Sequence, residues 1–328
     1  MNKRRKFFIA TALAFATALV CAQSGHSDKK KWTWSAEASL GFIYGRMGEY
    51  AYYDKGSSDK LSYLEWDMKP LWFYGVDLEA ASEKFSFLVN LKGFVPASCG
   101  YMQDSDWLQD YHWGTGNRSV KTNYSEHDNF LTSGFSSFGE ISYKFRPSEK
   151  IFVFPLFALE YQNMHFSGRD GTAWYGKDNF YPYNAGGGYS TIQDFFGKVI
   201  DYERRDVYVW LGCRADWVFS GKWNFSVSGY VAPYVYMWSR DSHFMKSVYY
   251  IDMGYDRFCA EKLKIAANYS LKKKILLKLE AGFLMTKEIH TSKAYQSNER
   301  DKGYYKVDAE DGFSSEYFEY SVAVKFLF

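Results

Sequence analysis

Phe318-Glu319-Tyr320-Ser321-Val322-Ala323-Val324-Lys325-Phe326-Leu327-Phe328 ends the sequence, and its side chains sort into two sets. Phe318, Tyr320, Val322, Val324, Phe326 and Phe328 form one face; Glu319, Ser321 and Lys325 lie on the other. In a strand successive side chains point to opposite sides, so this segment has one greasy and one polar face. A closing strand that ends on an aromatic residue is typical of outer-membrane β-barrels.

The same period recurs upstream. Phe85, Phe87, Val89 and Leu91 oppose Ser86, Leu88, Asn90 and Lys92. Val207, Val209, Leu211, Cys213, Ala215 and Trp217 oppose Tyr208, Trp210, Arg214 and Asp216. Ile275, Leu277, Leu279, Ala281, Phe283 and Met285 oppose Lys278, Glu280 and Thr286. A soluble sandwich alternates in the same way; the aromatic end and the leader described below make it the weaker choice.

Punctuation supplies the count. Short breaks fall at Glu83-Lys84, Arg146 to Lys150, Ser220-Gly221-Lys222 and Lys272 to Lys274. Long polar or Gly-rich stretches fall near 50–59, 101–122, 167–196, 242–256 and 288–312. Four short turns alternating with five long loops give a ten-stranded antiparallel transmembrane β-barrel over 32–328, with both ends on the periplasmic side and long extracellular loops. The stretch from Lys60 to Ser82 exceeds the roughly 9–11 residues a tilted strand needs to cross. The barrel is therefore expected to project beyond the membrane.

Lys3, Arg4, Arg5 and Lys6 followed by apolar residues 7–20 read as a signal peptide over 1–22, cut after Ala22, with a flexible tail at 23–31 that includes His26. Lipidation of Cys21 ranks second, because Val20 is large for the position before a lipidated cysteine. No helix-length apolar run follows the leader. Aromatic residues reach 21%, which suits the two interfacial belts of a membrane barrel better than a soluble domain. With 40 basic against 38 acidic residues there is no charge excess to suggest nucleic acid. Cys99, Cys213 and Cys259 remain after the leader; their odd number and the lack of a CxxC argue against a disulfide framework or zinc site and for buried single thiols. Lys92, Arg214, Asp216, Lys278, Glu280, Glu319 and Lys325 fall on the inward face. Unpaired buried charges are costly, so these are expected to pair and plug the lumen.

Along nearly the whole mature chain, in collinear order, the sequence resembles the omptin family of outer-membrane endoproteases. The resemblance rests on Ser39-Leu40-Gly41, Gly45 and Glu49; on Leu61-Ser62-Tyr63-Leu64-Glu65-Trp66; on Met102-Gln103-Asp104-Ser105-Asp106-Trp107 with Ser125-Glu126-His127; and on Asp241-Ser242-His243. It implies a protease without a covalent nucleophile. An Asp104/Asp106 couple would face an Asp241/His243 dyad, and a water between them would attack the peptide. Neutral imidazole is a good base near pH 7, and Asp241 would fix its tautomer. Two neighbouring acids resist joint ionisation, so one of the couple is expected to carry a raised pKa. The scheme calls for no metal and no cofactor.

Each motif has a duller reading. A DxD in a polar loop is more often a solvated turn or a weak Ca²⁺ ligand pair, and an Asp-x-His in a loop has similarly poor odds alone. Ser125 and His127 invite a serine-protease reading, but no nucleophile elbow surrounds Ser125, so they read as structural or water-positioning residues. His112, His165 and His290 read as loop or rim side chains.

Two departures from the family follow. The family's pocket for a basic residue before the scissile bond uses a glutamate and an aspartate; Glu49 matches the first, and Ser239 stands where the second belongs. Tyr161 and Arg205 match an outward lipopolysaccharide-binding cluster, but Asn163 and His165 replace a Glu and an Arg there. Dependence on this glycolipid is therefore expected to be weak. There is also a parity problem. Alternation from Trp223 through Phe225, Val227, Val231 and Val235 puts Asp241 and His243 on the lipid side, unless the strand bulges near Pro233 or leaves the barrel first. The expectation is an endopeptidase acting on extracellular proteins or peptides from the bacterial outer membrane. A catalytically silent adhesin or host-protein-binding barrel ranks second, and a passive channel third.

Overall fold

The computed structural model describes residues 32–114, 116–299 and 302–328. The expected leader and tail lie outside the described residues, as does the side chain of His112. The strands are β1 (Thr33–Tyr52), β2 (Lys60–Ala81), β3 (Phe85–Phe94), β4 (Ala97–Asp106), β5 (Asn123–Tyr143), β6 (Ile151–Gly176), β7 (Ser190–Asp194), β8 (Lys198–Val218), β9 (Trp223–His243), β10 (Val248–Asp256), β11 (Ala260–Lys272), β12 (Ile275–Ser297), β13 (Tyr305–Val307) and β14 (Asp311–Leu327). β3 and β4 follow one another along a single stave interrupted at 95–96, and β10 and β11 do the same around 257–259. β7 and β13 add only to the outer ends of β6 and β12. The barrel is a closed ring of ten staves.

Closure is made by β1 and β14, paired from Ser35↔Leu327 to Ala51↔Asp311. A closed ring leaves no unpaired edge, which hydrocarbon demands because each unsatisfied backbone group there costs several kcal/mol. Leu40, Val76, Leu159, Leu211, Ile265 and Val322 are exposed and belong to one outward apolar band. Cys213 corrects the expectation of three buried thiols: Cys99 and Cys259 are buried, but Cys213 is exposed on this outer face, and all three are free.

The loops are shorter than the polar stretches suggested. β6 runs for 26 residues, β12 continues to Ser297, and only residues 244–247 separate β9 from β10. Above the bilayer a strand has no greasy solvent to face, so alternation fades although the ladder continues.

Inside, the expected charge pairing is present. Lys92 meets Glu319, Lys278 meets Glu37 and Glu280, Lys325 meets Glu79, and Arg214 lies 3.4 Å from both Glu140 and Asp216. These groups line a cavity of about 350 Å³ toward the short-turn end. Above it Trp66 of β2 stacks on Tyr202 of β8 at 5.1 Å, joined by Phe166, Met102 and Ile200 in one buried apolar cluster. β2 and β8 are far apart in the strand order, so this contact crosses the lumen and forms a floor beneath the outer mouth.

Candidate active site

The four residues of the two acidic motifs lie on strands, which corrects the expectation that loops carry them. Asp104 and Asp106 end β4, and Asp241 and His243 end β9. Residues two apart share a strand face, so each pair is delivered to the mouth as a unit. β4 and β9 stand on opposite sides of the ring.

The parity problem has a structural answer. Between β8 and β9 the register passes from Leu211↔Val231 to Val209↔Tyr234, so β9 carries one extra residue at Ala232 and Pro233. Below this bulge even-numbered residues such as Ser228 and Tyr230 are buried; above it the buried positions include the odd-numbered Val235, Met237, Ser239 and Asp241. Proline has no N–H to give the ladder, which makes this the natural site for the slip. The chain does not leave the barrel before Asp241.

His243 Nε2 lies 2.5 Å from Asp241 Oδ2, leaving Nδ1 as the nitrogen able to take up a proton. Burial works to lower the imidazole pKa, but Asp241 outweighs it and the net shift is upward. Asp104 accepts a hydrogen bond from Ser62 Oγ at 3.2 Å. Burial, then the charge of Asp106, push its carboxyl up to about 7, while Lys246 and His243 oppose the rise. Asp104 and His243 thus feel each other's charge across the mouth. Lys246, at the exposed tip of the 244–247 turn, was missed in the sequence; its ammonium acts on Asp104, Asp106 and Asp241.

Ser125 stands directly opposite Asp104 in the β4–β5 ladder. His127 Nδ1 bonds the carbonyl of Asp170, which can only accept, so Nδ1 carries the hydrogen and Nε2 accepts from Ser125 Oγ at 3.1 Å. Gly171, at φ +105°, permits this close passage; a Cβ there would sit 2.9 Å from the His127 Cα. Burial holds the His127 pKa down and keeps the ring neutral.

Glu49 is buried on β1, with Oε2 lacking a hydrogen-bond partner. Ser239 is fully buried and its Oγ is also unpartnered. On the outer wall, Arg205 Nε donates to Glu203 at 2.8 Å and its guanidinium lies over Trp238 at 4.2 Å. Glu203 also receives His165 at 3.2 Å and Arg240 at 3.1 Å, and Tyr161 lies on the adjoining strand β6, paired with Val207. His290 pairs with Glu310 at 2.9 Å and stacks on Tyr52 at 4.7 Å.

The Omptin family model matches residues 30–328. The chain belongs to the omptin family. Among solved structures, outer membrane protease OmpT from Escherichia coli superposes with a TM-score of 0.77 at 17% identity, covering 93% of this chain and 99% of that one. The outer membrane protein OprG from Pseudomonas aeruginosa gives a TM-score of 0.37 at 10% identity, covering 91% and 97%. No curated protein sequence matches. Family and fold together support an outer-membrane protease of the bacterial cell envelope.

Proposed function

We propose that this omptin is an endopeptidase that cleaves extracellular proteins or peptides with a water held between Asp104 and His243. The observation that supports this reading is the opposed pair itself: a carboxyl at the end of β4, its pKa raised by burial, across the mouth from an imidazole at the end of β9 whose other nitrogen is fixed by Asp241. His243 Nδ1 takes one proton from water as its oxygen adds to the scissile carbonyl. Asp241 stabilises the imidazolium that forms. Asp104, the member of the couple poised to carry a proton, orients the water and gives the leaving nitrogen the proton it needs when the C–N bond breaks. Burial, with like-charge repulsion from Asp106 adding to it, lets Asp104 bear a proton near neutral pH. Ser125 and His127 hold the wall beside Asp104.

A second reading, Ser125 as nucleophile with His127 as base, draws on their 3.1 Å hydrogen bond. It is weaker, because an imidazolium at His127 would be backed by a peptide carbonyl rather than a carboxylate, in a buried position. Peptide hydrolysis by purified native protein, His243→Ala and Ser125→Ala separates the readings. Loss in His243→Ala with substantial activity in Ser125→Ala supports the water mechanism, and the reverse supports the serine. A native protein that cleaves nothing favours the silent adhesin.

On the lipid side we propose that lipopolysaccharide has only a weak effect on activity, because Arg205 and its neighbours already serve Glu203.

A further inference from the structure

The β8–β9 ladder ends at Ile200↔His243. The Phe244 N–H makes one more bond, to the Val199 carbonyl at 3.0 Å, before residues 244–247 turn β9 back into β10. The stave beside it continues outward. Past residues 195–197 the line of β8 is taken up by β7, which keeps to β6: Gln193 pairs with Ala173 as, lower down, Lys198 pairs with Arg169. The side of β7 on which β9 would have run has no strand among the described residues.

Hydrogen bonds show which groups face that open side. Lys177 N–H donates to the Tyr189 carbonyl and Phe195 N–H to the Gly171 carbonyl, both at 2.8 Å. In an antiparallel pair every second residue turns both backbone groups to the same neighbour, so Thr191 and Gln193 serve β6. Ile192 and Asp194 turn their backbone N–H and C=O away from β6, and no described residue bonds them. Natural sheet edges are guarded by lysine or proline, and residues 190–194 contain neither. The open line is apolar as well: Ile192 is 67% and Phe196 82% exposed, and Met245 is exposed in the turn where β9 ends.

This edge is continuous with the mouth. Gln193, Ala173, Ser125 and Asp104 form one row of opposed residues across four strands. Below, the open side runs down to the turn that follows His243. At about 3.3 Å per residue, the stretch from Asp194 to Val199 is roughly 15 Å long.

We propose that the open side of β7 is a docking edge for an extended stretch of the polypeptide to be cut. The guest chain adds as one more strand along the line that β9 gives up, bonds Ile192 and Asp194 through its main chain, and sets an apolar side chain against Ile192. Strand addition draws affinity from the main chain, so the class recognised is unfolded polypeptide, while a folded protein whose main chain is already paired is refused. The inference rests on the endopeptidase reading and adds recognition away from the cut.

The test uses peptides that share one cut site: a short one of about six residues, and two longer by about eight residues, before the cut in one and after it in the other. With native protein, at least one extension should raise kcat/KM by about 10–100-fold, mainly through KM, as a few main-chain hydrogen bonds would. Ile192→Pro removes an outward N–H and leaves the β6 ladder intact, so it should keep the rate on the short peptide and lose the gain. N-methylation of the extension, one residue at a time, should cost affinity at every second position, because only alternate N–H groups face β7. That scan uses unaltered protein and decides the matter if Ile192→Pro does not fold. Extensions without gain, an equal fall for short and long peptides or an undiminished gain in folded Ile192→Pro, or N-methylation that costs the same everywhere or nothing, overturns the docking edge. If native protein cleaves no peptide, the endopeptidase reading fails instead. Fluorescence anisotropy of the labelled long peptides on Asp104→Ala then tests the edge alone: the alternating N-methyl pattern upholds it, and a uniform or absent effect overturns it.

Discussion

Asp241 Oδ2 and His243 Nε2 meet at 2.5 Å on the same face of one strand. Because both ride on β9, the dyad is oriented by the ladder rather than by a mobile loop, and the contact commits one imidazole nitrogen. Asp241→Asn keeps the shape and removes the charge that stabilises the imidazolium. It should lower kcat by about 10²–10⁴-fold with little change in KM, measured on a fluorogenic peptide. A KM effect alone would assign Asp241 to binding.

The pH profile follows from the two opposed groups. Asp104 titrates at about 7, and the His243 pKa lies above its ordinary value because Asp241 outweighs burial. The base must be neutral and Asp104 must carry its proton, so activity should peak near neutrality, rising as His243 loses its proton and falling as Asp104 loses its own. Lys246 lowers the pKa of both groups. Lys246→Gln should therefore move the rising limb to higher pH, while an unmoved limb would show that the ammonium is screened out.

A one-residue slip decides which way the dyad faces. Removing Pro233 should cancel the bulge and return Asp241 and His243 to the outer wall, while the apolar belt below keeps its register. The expected product is a folded, heat-modifiable barrel without peptidase activity. Retained activity would mean that another segment of β9 absorbs the slip.

Glu203 gathers Arg205, Arg240 and His165 on the outer wall. A lipid phosphate must compete with that carboxylate for the same donors. Refolded protein should be active without lipopolysaccharide, and Glu203→Gln should bind the glycolipid more tightly in a vesicle or micelle titration. Strict dependence of the native protein would reject this account of the cluster.

Much of the barrel was legible because lipid imposes a code. Phe318 to Phe328 and Val207 to Trp217 alternate as they do because hydrocarbon touches every second side chain. The code stops at the bilayer surface, which is why β10 and the outer half of β12 read as loop. Asp104, Asp106, Asp241 and His243 were legible as spaced motifs, and Pro233 marked the bulge. Ile192 and Lys246 were not. Ile192 gains its meaning from the early turn of β9, and no periodicity along one strand reports where its neighbour ends. Lys246 gains its meaning from a turn so tight that it points back over the mouth.

The most direct test is the rate of peptide hydrolysis by native protein, Asp104→Asn, His243→Ala and the double variant. If one water is worked from both walls, each single change should cost about 10²–10⁴-fold and the double variant should be little worse than the weaker single, since residues acting as a unit are not additive. Cleavage at the native rate by either single variant would contradict the mechanism.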